Sequence, residues 1–111
     1  MGPGSFVILH LQGPTEKFWG VLLELEQMGV LLRGLNVSTF DDWLAQVASA
    51  EAAALLGLTT MFVPMNRVER VFLDEQVGAV ESYAQRFQRR VGLSVEEYLG
   101  LPGSGSGTLP S

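Results

Sequence analysis

The sequence predicts an α+β fold, a small bent antiparallel sheet or open β-barrel in the chain order βββ-α-ββ-α, with helices packed against it. Three observations carry that reading. The stretch Phe18–Val37 (FWGVLLELEQMGVLLRGLNV) holds two apolar runs, Trp19–Leu25 and Val30–Val37, joined at Glu26-Gln27-Met28-Gly29. Each run is too short for a surface helix and a Gly sits at the join, so the pair reads as a β-hairpin. Thr59–Met65 and Val68–Leu73 form a second pair of strand-like runs, parted only by Asn66-Arg67. Two longer segments, one between these pairs and one after them, carry helix start and stop signals.

Phe6–Gln12 (FVILHLQ) is the first strand, ended by the turn-forming pair Gly13-Pro14. His10 lies within it and reads as a half-buried strand residue. Metal ligation or acid–base work would need partners, and the chain has one His. In the hairpin, Leu22 and Leu23 break alternation, as do Leu31 and Leu32, a pattern that suits strands covered on both faces. Glu24 and Glu26 are two apart and share a face. That spacing suits a bound cation or a pair of acids, but a wet strand face accounts for it more simply.

Ser38 or Thr39 is expected to cap the first helix, with Asp41 or Asp42 three residues later and both carboxylates complementing the dipole. The helix is expected to run to Gly57, with Phe40, Leu44, Val47, Leu55 and Leu56 inward. Ala48, Ala50, Ala52, Ala53 and Ala54 give it a smooth side for close packing. Pro64 removes a ladder donor, so Thr59–Met65 is an edge strand or is bulged near its end. Strict alternation puts Val68, Arg70 and Phe72 on one face of the next strand and Glu69, Val71 and Leu73 on the other.

Asp74 is the expected cap of a second long helix, Glu75–Val91, with Val77, Val80, Tyr83, Ala84, Phe87 and Val91 as its apolar stripe. Arg86, Arg89 and Arg90 sit at the end that the macrodipole favours, which explains them without a ligand. Gly92 ends that helix, and Ser94-Val95-Glu96-Glu97 is a capping box opening a last short turn to Gly100. One domain is expected over residues 6–100. Met1–Ser5 reads as a cloning remnant, and residues 101–111 (LPGSGSGTLPS) as a flexible Gly/Ser-rich tail.

Composition narrows the function classes. The chain has 111 residues, a 47% hydrophobic fraction and 17% charged residues, which means either a well-filled core or apolar surface left for a partner. The formal charge of −5 disfavours RNA and anionic membranes, because phosphate contacts need clustered Lys and Arg. With no Cys, disulfides, thiolate metal sites and Cys nucleophiles are excluded, which fits a cytoplasmic location. No apolar run reaches the roughly 18 residues of a membrane span. GxxxxGK[ST], GxGxxG and GxSxG are all absent, and three of the four carboxylate pairs fall at expected helix starts. The expectation is a non-catalytic protein with no cofactor.

Gly20, Leu22, Glu26, Gly29, Val30 and Leu32, following the strand FVILHLQ, fall in an order that resembles the first motif of the Sm-like, Hfq-type family of small five-stranded β-barrels. The run MFVPMNRVERVFLD similarly resembles that family's fourth and fifth strands, parted by a short corner at Asn66-Arg67. The resemblance covers residues 6–37 and 60–74 and implies barrel and ring assembly. Two departures stand out. Gly29 occupies the neighbourhood of the family's nucleobase-contacting Asn, and a helix of about 20 residues is expected where the family has a short loop.

Two functions follow as expectations. The first is a homo-oligomeric scaffold or protein-interaction module that pairs the strand Thr59–Met65 with another subunit's edge. Met61, Phe62, Val63 and Met65 would form its interface, because no charged residue guards that strand. The second is an Sm-like protein binding single-stranded RNA through Arg33, Asn66, Arg67 and Arg70.

Overall fold

The computed structural model describes residues 1–49 and 57–101. Five strands appear in chain order: β1 (Phe6–Leu11), β2 (Glu16–Glu26), β3 (Gly29–Asn36), β4 (Thr59–Pro64) and β5 (Val68–Leu73). The described residues also hold three α-helices, α1 (Phe40–Ala48) between β3 and β4, and α2 (Tyr83–Val91) and α3 (Val95–Leu99) after β5, so the chain is α+β. The strands form one antiparallel sheet in the order β4-β3-β2-β1-β5. The chain divides into two compact units, Met1–Asp74 and Glu75–Ser111.

Chain length forces the sheet to curl. β4 and β5 are its opposite edges, four strand spacings apart, which is about 19 Å in a flat sheet. Yet only the 3₁₀ turn Met65–Arg67 connects them. Even fully extended, four residue steps reach no more than about 14 Å. A flat sheet therefore cannot be closed by this turn. The concave face holds a core drawn from all five strands: Val7, Leu9, Leu11, Leu22, Val30, Leu32 and Val63, with Phe18, Met61, Val68 and Val71 packed against it. Gly20 and Gly34 face each other across β2 and β3, where the two backbones approach closely. A side chain on Gly20 would run into the Arg33 carbonyl and the Gly34 Cα.

The convex face carries a second core. Trp19 is buried beneath Phe40 and Trp43 of α1, with ring centroids 5.2 and 5.9 Å away, and Phe6 stacks on it at 5.3 Å. β2 is thus covered on both faces at its middle, as the runs of adjacent apolar residues suggest. Its Leu22-Leu23 irregularity is a bulge, since the register steps from Leu22↔Leu32 to Glu24↔Leu31.

Several expectations are corrected in detail. Neither Ser38 nor Thr39 caps α1 through its side chain. Instead the Asn36 side chain accepts from the Ser38 N–H at 2.9 Å, capping a 3₁₀ turn that feeds the helix. α1 closes at Ser49, and Ala50, Ala52, Ala53, Ala54, Leu55 and Leu56 lie outside the described residues. Strict alternation in β5 fails because the register shift leaves Glu69 as an extra residue between Val68 and Arg70, so Val68 and Val71 both meet the core.

The long helix expected from Glu75 is instead a tight turn followed by the nine-residue α2. Val77 and Val80 exchange both backbone hydrogen bonds around Gly78, whose φ is +59°, and both are exposed. Gly and two β-branched residues are poor helix formers, while Ser82 and Gln85 form a capping box that starts α2 further on. Asp74 therefore caps no helix. Its carboxylate accepts from the Trp19 indole N–H at 2.9 Å. α2 stops at Gly92 (φ +98°), and the Ser94/Glu97 capping box opens α3 as expected.

Candidate functional site: the two edges of the sheet

Among the described residues no group of three or more His, Cys, Asp or Glu could hold a metal ion, and no helix is long and apolar enough to cross a membrane. Within the unit Met1–Asp74, the exposed large apolar residues beyond Met1 gather near the sheet's two edges. β4 is an edge strand, as Pro64 implies, and among the described residues it pairs only with β3. Alternation divides the four residues expected at an interface. Val63 is buried and Met61 half-buried, both on the core side, whereas Phe62 and Met65 are exposed. Half of that set is thus covered by the chain's own core.

Phe62, 52% exposed, lies against Gly29, where a Cβ would come within 2.6 Å of the ring. Met28 at the hairpin turn is 73% exposed, and its carbonyl accepts from the Met65 N–H at 3.0 Å. Leu25, Met28, Phe62 and Met65 are therefore exposed apolar residues at one end of the sheet. Glu24 and Glu26 accompany them, and neither forms an ion pair among the described residues. The hydrogen bond and charge of Glu24 push the Glu26 carboxyl above its usual range. Leu25 and Met28 were not singled out in the sequence, because hairpin-tip residues give no periodic signal.

The β5 edge has the opposite character. Register places Lys17 on β2, His10 on β1 and Arg70 on β5 in one row on the convex face. Phe72 is exposed beside them, its ring 4.8 Å from His10 edge-on and 5.9 Å from the Arg70 guanidinium. Burial, then the charges of Lys17 and Arg70, hold His10 below its usual pKa, against the opposing pull of Glu69. Glu69 pairs with Arg70 at 3.3 Å, an exposed contact.

The four residues expected to bind RNA do not converge. Arg33 is exposed on the convex face of β3, and two strands separate it from Arg70 on β5. Arg67 is committed to the corner: it donates to the Gln12 carbonyl at 3.0 Å, the Pro14 carbonyl at 2.7 Å and Glu16 at 3.1 Å. That leaves Asn66 exposed on the same turn. No family model, curated protein or solved structure matches this chain.

Proposed function

We propose that this protein is a non-catalytic homo-oligomeric scaffold or interaction module, assembled through the edges of its curled sheet. The observation that carries this reading is the exposed phenylalanine on each edge strand, Phe62 on β4 and Phe72 on β5. Native edge strands are usually guarded by charge, bulge or cover, and β4 bears no charged residue. A partner strand there would satisfy backbone groups and remove Phe62 from water at once. The strand order β4-β3-β2-β1-β5, with a three-residue corner between β4 and β5, supports an open Sm-like barrel as the architecture. Ring closure follows when one edge meets the other edge of the next subunit with a rotation that closes. RNA binding has less support, because Arg67 is already engaged and Arg33 and Arg70 lie apart.

Phe62→Asp tests the reading, since its side chain lies outside the core cluster. Met65→Asp, at the other exposed residue of the expected set, is its counterpart. Light scattering on the wild type should give a multiple of the 12.1 kDa chain mass, and either variant should give smaller species. A wild-type monomer at high micromolar concentration would rule the proposal out.

A further inference from the structure

The convex face near β5 holds three basic side chains on three adjacent strands. Lys17 on β2 stands directly across from His10 on β1, and His10 directly across from Arg70 on β5. Neighbouring strands lie about 4.8 Å apart, so the row spans about 10 Å from end to end. The two outer side chains are the longer ones and both are exposed, so they can close from either side over an ion resting on the imidazole. Lys17 has no ion-pair partner among the described residues. Glu69, the bulged residue, holds the Arg70 guanidinium at 3.3 Å, but their side chains are 45% and 57% exposed, and such pairs are weak. Glu16, next to Lys17, faces the other way and is paired with Arg67 at 3.1 Å.

The geometry points to a proton-linked site for a small phosphoryl-type oxyanion, formed by Lys17, His10 and Arg70, in which the ion displaces the Glu69 carboxylate. This goes beyond the oligomer reading and does not rest on it. Arg70 offers the planar fork that suits tetrahedral oxyanions, and Lys17 a point charge on the far side of the same ion. The chain's net charge of −5 favours a compact ligand, because a long polyanion would meet that charge along its whole length. Proton linkage follows from the place of His10 between two cations. A neutral imidazole donates one N–H, whereas a protonated one adds a third positive charge. Without a ligand, burial and then the charges of Lys17 and Arg70 oppose that proton, and only Glu69 favours it. A bound anion favours it further, so it raises the His10 pKa and binds more tightly as pH falls through that value. The two effects are reciprocal.

His10 is the one histidine of the chain, so its imidazole is a single NMR reporter at the centre of the row. Sulfate keeps a constant charge across the pH range. It should shift the imidazole signal saturably, at an ionic strength held fixed with chloride, and raise the His10 pKa. Affinity should be several-fold higher at about pH 5 than at about pH 8, on either side of the ordinary imidazole value. K17Q/R70Q should weaken binding at least about tenfold, as the loss of charge-assisted hydrogen bonds implies, whereas Glu69→Gln should strengthen it. Lys17→Gln alone serves if the double variant does not fold. Phenyl phosphate separates two sources of such an anion, since the Phe72 ring lies 4.8 Å from His10. Binding tighter than sulfate, and returned to the sulfate level by Phe72→Leu, assigns an aromatic phosphate ester; equal binding assigns the free ion. A signal that follows ionic strength alone, or folded K17Q/R70Q that binds like the wild type, would overturn the site.

Discussion

Gly20 shows how one residue lets two strands approach closely. Its position opposite Gly34 leaves no room for a methyl group, because the added carbon would meet the backbone of β3 rather than a movable side chain. Gly20→Ala should therefore destabilise the fold by about 1–3 kcal/mol, the usual penalty of overpacking, and at the upper end because backbone must shift. A denaturant titration measures it, and a loss under about 0.5 kcal/mol, the usual range for a neutral surface change, would show that the strands yield easily. Gly20 was noticed in the sequence only as part of a resemblance to a motif, whereas its facing partner was not. Pairing across strands is invisible until register is known. Trp43, by contrast, was legible: it lies three residues after Phe40 and four before Val47, on the same helical stripe, and it is buried against Trp19.

Among the elements, those legible in the sequence had a hydrophobic pattern and an end signal that agreed. β1, both hairpin strands and β4–β5 fall within one or two residues of expectation, except β2, which starts earlier at Glu16. The Glu75–Val91 helix did not, because apolar spacing alone cannot distinguish a continuous stripe from two valines on a turn followed by a shorter helix. The capping box at Ser82 and Gln85 was the overlooked signal. Its Ser82 hydroxyl accepts from the Gln85 N–H at 3.0 Å, while the Gln85 side chain accepts from the Ser82 N–H at 2.8 Å. Ser82→Ala should cost about 1 kcal/mol and lower helicity, whereas Asp74→Ala should leave helicity unchanged, because no helix starts at Asp74 and the next is capped by Ser82. Far-UV dichroism separates these outcomes, and a larger helical loss in the Asp74 variant would contradict the boundary at Tyr83. Bulges at Leu23 and Glu69 were equally hidden, since each inserts a residue without altering composition.

For the whole molecule, the expectation of an exposed edge was legible, but which residues it exposes was not. Alternation turns Met61 and Val63 inward and leaves Phe62 outside, while hairpin geometry adds Leu25 and Met28 from elsewhere in the chain. If subunits associate through these edges, the melting temperature should rise with protein concentration, as mass action requires when only folded chains bind one another. A melting temperature constant over a hundredfold dilution would argue for monomers. The aromatic residues also divide cleanly along the chain. Both tryptophans, Trp19 and Trp43, belong to the unit ending at Asp74, and both tyrosines, Tyr83 and Tyr98, to the unit that follows. The protein thus carries its own two-colour label: indole emission reports the sheet, phenol emission reports the short helices, and the fate of each unit can be followed in one unmodified sample.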